Sequence, residues 1–175
     1  MKKVRLIEPT VELENEYLDM LKDWKDNNEK LMPWVLNLDY TDFPQMVKKL
    51  KDYSNGKGVE ESFVEHSTYW LVDEDNTILG VVNIRHRLNQ SLMNRGGHVG
   101  YGIRPSYRKK GLATELLRLT LEIVKNKGLN KILLTCNKNN IGSSRTIKNN
   151  GGVLESEGYK NGKIIQRYWI YLNNN

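Results

Sequence analysis

Cysteine, histidine and long apolar runs are scarce in this sequence of 175 residues. One cysteine excludes an intramolecular disulfide, and the three histidines (His66, His86 and His98) lack the spacing of metal ligands, so no metal is expected. No stretch approaches the roughly 18 apolar residues of a membrane span, and the first residues lack the apolar core of a signal peptide. Walker and dinucleotide-binding motifs are also missing. These absences predict a cytoplasmic protein that does not enter membranes.

The net charge of +6 is divided unevenly along the chain. Residues 1–42 carry 6 Lys/Arg and 10 Asp/Glu, whereas residues 101–175 carry 14 and 4. A basic half indicates either a phosphate-rich cofactor or a polyanion such as nucleic acid. No recognition helix, zinc finger or RNA-binding signature is present, so we do not expect a nucleic-acid partner.

The most informative stretch begins as a strand at residues 99–103 and continues through a loop into a helix that stops near Gly128. In the loop, Gly111 and Ala113 let the backbone lie against a ligand. The first N–H groups of the helix have no internal partner, and the helix dipole places partial positive charge there. Three basic residues, 108–110, add full charges. This pattern predicts a phosphate site, with a tight turn bearing solvated basic side chains as the alternative.

The spacing Arg108-x-x-Gly111-x-Ala113 resembles the loop signature of the GNAT N-acetyltransferase superfamily. The resemblance extends from about residue 68 to the end of the chain, and it implies that the ligand is acetyl-CoA. In that family a backbone N–H of the central strand, here near Ile103, polarises the thioester carbonyl. The residues that the resemblance assigns to acetyl-CoA are Ile103, Arg108, Lys109, Lys110, Gly111, Leu112, Ala113, Thr114, Asn140 and Ser143.

Hydrophobic periodicity adds the remaining elements. We expect helices over residues 12–30, 43–53 and about 143–149, and strands over 4–7, 68–72, 78–85 and 131–136, followed by a hairpin at 153–172. These elements predict an α/β (α+β type) fold, a GNAT-like mixed and mostly antiparallel central sheet of about six to seven strands with helices on both faces. One domain spans 1–175, with acceptor-side elements mainly in 1–67 and the acetyl-CoA-binding core in 98–152. An exposed sheet edge or the final hairpin could support a homodimer.

In the family that the chain resembles, an amine attacks the thioester directly while both substrates are bound. His98 stands where many members carry a glutamate base, and it is either that base or a hydrogen-bonded structural histidine. Ile147 stands where a tyrosine acid is usual, which leaves Ser143, Ser144, a tyrosine from elsewhere or water as the acid. Gly152 replaces the usual phenylalanine. Cys136 is expected to be a buried apolar residue rather than a nucleophile.

The acceptor amine is the least determined part of the prediction. Trp34 and Tyr40 are candidate substrate contacts, although Trp34 could equally anchor its loop to the core. Acidic residues on the first helix, with Asp39 and Asp42, are either a solvated face or an attraction for a cationic small molecule. The competing functions are a protein N-terminus or lysine acetyltransferase and a non-catalytic acyl-CoA-binding or sensing module.

Overall fold

The computed structural model describes residues 3–172. These residues form seven strands and five α-helices. In chain order they are β1 Arg5–Ile7, α1 Glu14–Asp26, α2 Phe43–Ser54, β2 His66–Val72, β3 Ile78–Arg85, α3 Gln90–Asn94, β4 Val99–Ile103, α4 Leu112–Asn126, β5 Lys131–Asn137, α5 Ile141–Asn149, β6 Val153–Lys160 and β7 Lys163–Tyr171. No helix within residues 3–172 is long and apolar enough to cross a membrane.

The strands form two antiparallel sheets where the sequence predicts a single central one. The first has the order β1-β2-β3-β4 and the second has the order β5-β7-β6. The two sheets meet edge to edge at a short junction, where Gly97 bridges Leu134 and the N–H of His98 donates to the carbonyl of Leu133 at 2.7 Å. Beyond this junction β4 and β5 form no ladder. The predicted strand number, antiparallel pairing and α+β class are confirmed, and the continuous sheet is corrected to a split one.

Helices cover both faces of the first sheet, as predicted. On one face α1 and α2 pack Tyr17, Trp24 and Met46 against Trp70 and Val81. On the other face α4 and α5 bury a second cluster against the strands of both sheets. Burial of these apolar side chains is the main favourable contribution to folding. The core therefore fixes how both sheets sit against the central helix α4.

Several boundaries differ from the sequence prediction because side-chain caps override periodicity. A 3-10 turn at Val11–Leu13 precedes α1. Residues 90–94 form a short helix, rather than a loop, because Asn89 accepts a hydrogen bond from the N–H of Leu92. Asn140 caps α5, which therefore begins at Ile141 rather than near residue 143. The final hairpin is confirmed, with left-handed residues at its turn. Its outer strand β6 is an exposed edge, and the homodimer stays a prediction.

Gly97 is the residue that lets the two sheets meet. Its φ is 61°, and an added Cβ would lie within 3.0 Å of the backbone carbonyl of Leu133. We expect Gly97→Ala to lower the free energy of unfolding by about 2 kcal/mol or more, because left-handed strain and backbone overlap act together. Urea denaturation measures this loss. Gly158→Ala is the matched control, since Gly158 has open space around it and no positive φ. Equal losses in the two variants would contradict this account of the junction.

Candidate active site

The loop before α4 presents a row of free backbone donors. Gly111 caps the helix in a left-handed conformation with φ 78°. The N–H groups of residues 109–113 have no hydrogen-bond acceptor among the residues that the structure describes, whereas the N–H of Thr114 already bonds to the carbonyl of Gly111. Five consecutive donors at the positive end of a helix dipole suit the oxygens of a pyrophosphate. The loop predicted from the sequence therefore has the geometry of an anion site.

The three basic side chains of the loop have different surroundings. Arg108 pairs with Glu29 at 2.6 Å and donates to the carbonyl of Ile103 at 2.9 Å, so it braces the loop against β4 and the end of α1. Lys110 lies over the ring of Tyr107. Lys109 has no side-chain partner within residues 3–172. Lys109 and Lys110 can thus reach a ligand without breaking an ion pair.

Backbone donors also face the gap between the sheets. The N–H of Arg104 donates to Leu79 of β3, so the alternation of an antiparallel ladder turns the N–H groups of Ile103, Tyr101 and Val99 away from β3. They face the side on which β5 lies. Ile103, at the open end of β4, is therefore positioned as the sequence prediction requires.

Helix α5 brings two predicted contacts to the other side of this gap. Asn140 uses its carbonyl oxygen to cap the N–H of Ser143. The Ser143 hydroxyl lies 3.0 Å from the phenolic oxygen of Tyr101 on β4, so this pair spans the gap. Burial raises the pKa of Tyr101, which keeps the phenol protonated at neutral pH. Cys136 is buried beside them, and burial raises the pKa of its thiol. A surface cleft next to Asn140 is lined by Asn137, Asn139, Lys163 and Ile164.

The two departures from the family pattern have clear structural roles. Ile147 is fully buried in the core beneath α4. An added Cβ at Gly152 would come within 3.0 Å of Ile147, so a larger residue cannot fit there without a shift. Ser144 bonds to Tyr168 at 3.0 Å. The hydroxyl groups that the structure brings to the gap are those of Tyr101 and Ser143.

His98 lies at the junction of the two sheets. Its Nδ1 accepts a hydrogen bond from the N–H of Leu133 at 2.9 Å, so the neutral ring carries its proton on Nε2. Burial lowers the pKa of His98 to about 4, and the charge of Arg85 adds to the shift. A base role would require this ring to release Leu133. The role of His98 as a base stays a prediction, and the geometry itself supports the structural alternative.

The two aromatic residues predicted to contact substrate lie in different surroundings. Trp34 packs against Phe63, with ring centroids 5.0 Å apart, and edge-on against His66 at 5.6 Å. Two residues before Trp34, the backbone carbonyl of Met32 lies against Gly102 of β4 and occupies the space that a side chain at Gly102 would need. Tyr40 instead packs against Tyr17 and accepts a hydrogen bond from Lys25. Trp34 therefore contacts β2, and the segment just before it contacts β4.

The acidic residues that suggested a cationic acceptor are largely engaged within the protein. Asp19 and Asp23 on α1 both bind Arg104, and Asp23 also accepts from Ser106. Asp39 binds the backbone and hydroxyl of Thr41, and Asp42 caps α2. Asp19 and Asp23 thus join α1 to the loop after β4, whereas Asp39 and Asp42 make local contacts. The cationic acceptor stays a prediction, with much of its stated basis used for structure.

Sequence reasoning missed a group of polar side chains on the α1/α2 face of the first sheet. His66 and Thr68 on β2 stand opposite Arg85 and Asn83 on β3, and we call these four residues the polar row. Asn83 donates to Nδ1 of His66 at 2.8 Å and to Thr68 at 3.2 Å. The only signal in the sequence was a histidine and an arginine at the ends of otherwise apolar strands. The hydroxyl of Tyr101 was missed for a similar reason, because its partner lies 42 residues later.

A split pair of sheets, a gap lined by backbone donors and a helix N-terminus with free N–H groups have the geometry to suit an extended, phosphate-bearing ligand. The chain belongs to the GNAT acetyltransferases, since the family model described as acetyltransferase (GNAT) domain matches residues 4–153. It is an acetyl-CoA-dependent N-acetyltransferase. The family prediction made from residues 108–113 is confirmed. A comparison with curated protein sequences gives no match.

Solved acetyltransferases share the fold at low sequence identity. The ribosomal α-N-protein acetyltransferase RimL in complex with coenzyme A has a TM-score of 0.70 and 13% identity, covering 98% of this chain and 96% of its own. The microcin self-immunity acetyltransferase MccE, with acetyl-CoA and AMP, has 0.67 and 16%, covering 97% and 92%. A dodecameric spermidine N-acetyltransferase from Vibrio cholerae has 0.60 and 17%, covering 97% and 93%. These proteins show the fold and differ from one another in acceptor.

The buried histidines make stability sensitive to mild acid. Burial lowers the pKa of both His66 and His98 to about 4, below the 6.5 of an exposed imidazole. Between these values the unfolded chain binds protons that the folded protein excludes, so the free energy of unfolding falls as pH falls, by up to about 1.4 kcal/mol per pH unit for each ring. We expect the urea midpoint to drop between pH 7 and pH 5. His98→Asn should show a shallower drop, and NMR titration midpoints near 6.5 would contradict the prediction.

Proposed function

We propose that this enzyme transfers the acetyl group of acetyl-CoA to a primary amine by direct attack while both substrates are bound. The observation that carries the proposal is the set of unpartnered N–H groups at residues 109–113, which lies at the open end of the gap between β4 and β5. A pyrophosphate seated there directs the rest of an acetyl-CoA molecule along the gap. Holding both reactants in this arrangement accounts for much of the rate of such a reaction.

Groups of the protein then stabilise the thioester carbonyl and protonate the leaving sulfur. The N–H of Ile103, and the neighbouring N–H of Tyr101, can donate to the thioester oxygen as negative charge develops on it. The amine nitrogen forms a bond to the carbonyl carbon, the carbon–sulfur bond breaks, and the amine proton passes to solvent. The Tyr101–Ser143 pair is our candidate for the proton that the thiolate takes up. This pair provides the hydroxyl donor that is missing at Ile147, the usual position of the tyrosine acid.

The protein contributes least to the deprotonation of the acceptor amine. An imidazole with a pKa near 4 is a weak acceptor for an ammonium proton, and the Nδ1 lone pair of His98 is already used by Leu133. We therefore infer that the amine reacts as the fraction that is neutral in solution. The reaction rate should rise through the pKa of the acceptor rather than through that of a histidine.

A non-catalytic acyl-CoA sensor is the competing function. Its basis is Ile147, the isoleucine at the usual position of the acid. The hydroxyl pair across the gap removes the main reason for it, because a proton donor is present on a different element. Release of coenzyme A that depends on any added amine would exclude the sensor. A protein N-terminus or lysine remains an acceptor class for the same chemistry.

Anion binding by the loop is tested by placing aspartate at Gly111 and, as a control, at Gly128. Gly111→Asp places a carboxylate where phosphate should bind, so we expect the stabilisation by saturating acetyl-CoA to vanish. In wild type, ligand at about 100 times its dissociation constant adds about 2.7 kcal/mol, seen as a rise in melting temperature. Gly128→Asp is the control, because Gly128 is also left-handed and lies at the opposite end of α4. A retained shift in Gly111→Asp, or none in wild type, would contradict the proposed site.

The proton donor is tested by removing one oxygen atom. Tyr101→Phe keeps the ring in place, and we expect kcat to fall about 10-fold, less than the roughly 100-fold or more that is typical of acid–base catalysis, because a thiolate leaves readily. Acetyl-CoA affinity should stay within about 2-fold by calorimetry. Tyr168→Phe is the control, since its hydroxyl bonds to Ser144 and Gln166 rather than to Tyr101 or Ser143. An unchanged kcat in Tyr101→Phe would remove this pair from the mechanism.

A further inference from the structure

Arg85 is a partly buried cation without an anionic partner. Its Nη1 donates to the carbonyl of Gly96 at 3.2 Å and to that of Gly97 at 3.5 Å. Nε and Nη2 have no partner within residues 3–172, and neither belongs to the atoms that are sealed from solvent. Arg104, by contrast, binds both Asp19 and Asp23. A guanidinium that leaves water without a counterion costs free energy that an anionic ligand can recover.

The position of Arg85 places this charge beside the reaction centre. An added Cβ at Gly100 would meet Nη2 of Arg85 at 3.2 Å, so the guanidinium lies against the backbone of β4. The flanking residues Val99 and Tyr101 are those whose N–H groups face the gap. On the same face, two residues further along β4, the carbonyl of Met32 lies against Gly102. The absence of side chains at both glycines lets these two groups approach the strand.

The surroundings of Arg85 carry positive charge and hydrogen-bonding groups rather than acids. His66 stands opposite Arg85 on β2, and the backbone N–H of Arg85 donates to the carbonyl of His98, which immediately precedes β4. Burial lowers the pKa of each of these histidines, and the charge of Arg85 lowers it further. The carboxylate of Glu65 is already paired with Arg87 at 2.9 Å. Trp34 packs over His66 and closes this side of the polar row.

The polar row is an unexpected feature on a face that is otherwise a hydrophobic core. Trp70 and Val81, the next pair along the same face, are fully buried against α1 and α2. Asn83 is also fully buried, and its carbonyl oxygen has no hydrogen-bond partner. Turning the amide over would leave the nitrogen in that position, so one polar atom remains unpaired in either orientation. An unpaired polar atom in a buried position is unusual and calls for an explanation other than packing.

We propose that Arg85 binds a carboxylate of the acceptor, so that the amine substrate is an amino acid or another amine that also bears a carboxylate. This inference rests on the proposed acetyl transfer and specifies its substrate class. A planar guanidinium with two free donor nitrogens matches a carboxylate in a bidentate arrangement. The proposal gives a different expectation from the cationic acceptor that the acidic residues of α1 suggested.

The test compares L-α-amino acids with their own carboxamides, which differ only in the anionic group. Rates are compared at equal concentrations of neutral amine, because the carboxamide lowers the pKa of the amine. Wild type should favour the carboxylates by about 10- to 100-fold in kcat/KM, the usual range for a charge-assisted hydrogen-bonded pair. Arg85→Gln should lose this preference while the carboxamide rate changes by less than about 3-fold, and Arg85→Lys should retain part of it.

Arg95→Gln is the matched control, because Arg95 is an exposed arginine with no side-chain partner in the described part of the chain. It should leave the preference unchanged. The acetyl-CoA-induced rise in melting temperature verifies that each variant keeps its fold and cosubstrate site. Faster turnover of spermidine or of the carboxamides by wild type would overturn the proposal, and so would an equal loss for both members of a pair in Arg85→Gln.

A second measurement separates this proposal from the acetyltransferase activity itself. Calorimetry of the same amino acids and carboxamides is carried out on the complex with coenzyme A, where no transfer occurs. Binding of carboxylates that Arg85→Gln abolishes would support the anion site even if no amine were acetylated. Absence of carboxylate binding and of carboxylate turnover would overturn it. Turnover confined to amines without a carboxylate would overturn it too, and would leave the acetyl transfer intact.

Discussion

The close approach of two backbones at the sheet junction determines most of what this protein can do. Gly97 lies against Leu133, and the N–H and ring of His98 bond to the same residue. This contact joins β4 to β5 at one end and leaves them without a ladder beyond it. Strand edges that are not paired must satisfy their polar groups in another way. In this fold the unpaired donors of β4 become the groups available to a substrate.

The central helix completes the site because it begins where the gap opens. Its apolar residues are held in the core between the two sheets, so its N-terminus is fixed relative to β4. Arg108 reinforces this arrangement by bonding to both Ile103 and Glu29. One of the three basic loop residues is therefore structural, while the backbone provides the anion site. In the proposed acetyl-CoA site, backbone donors fixed in position contribute more than charged side chains.

The proposed acceptor side follows a different principle, since the specificity that we infer there depends on side chains. Asp19 and Asp23 neutralise Arg104, whereas Arg85 has no carboxylate partner among residues 3–172. The acidic half of the sequence and the basic half meet at Arg104, and the remaining unpaired charge near β4 is positive. This distribution is the reverse of what the net charges of the two halves suggested. Local pairing, rather than composition, sets the charge that an acceptor meets.

The sequence by itself determined the elements, the loop and the family. Alternating residues at 99–103, the stretch Arg108 to Ala113 and the hairpin around Asn161 act over short distances, so local spacing was sufficient to find them. Tertiary structure decided that the sheet is split, that Tyr101 meets Ser143, and that Arg85 reaches Gly100 without a counterion. It also decided which acidic residues are already bound to other groups of the protein. These features depend on pairs separated by up to 85 residues, and no local pattern encodes which distant groups the packing of two sheets and α4 will bring together.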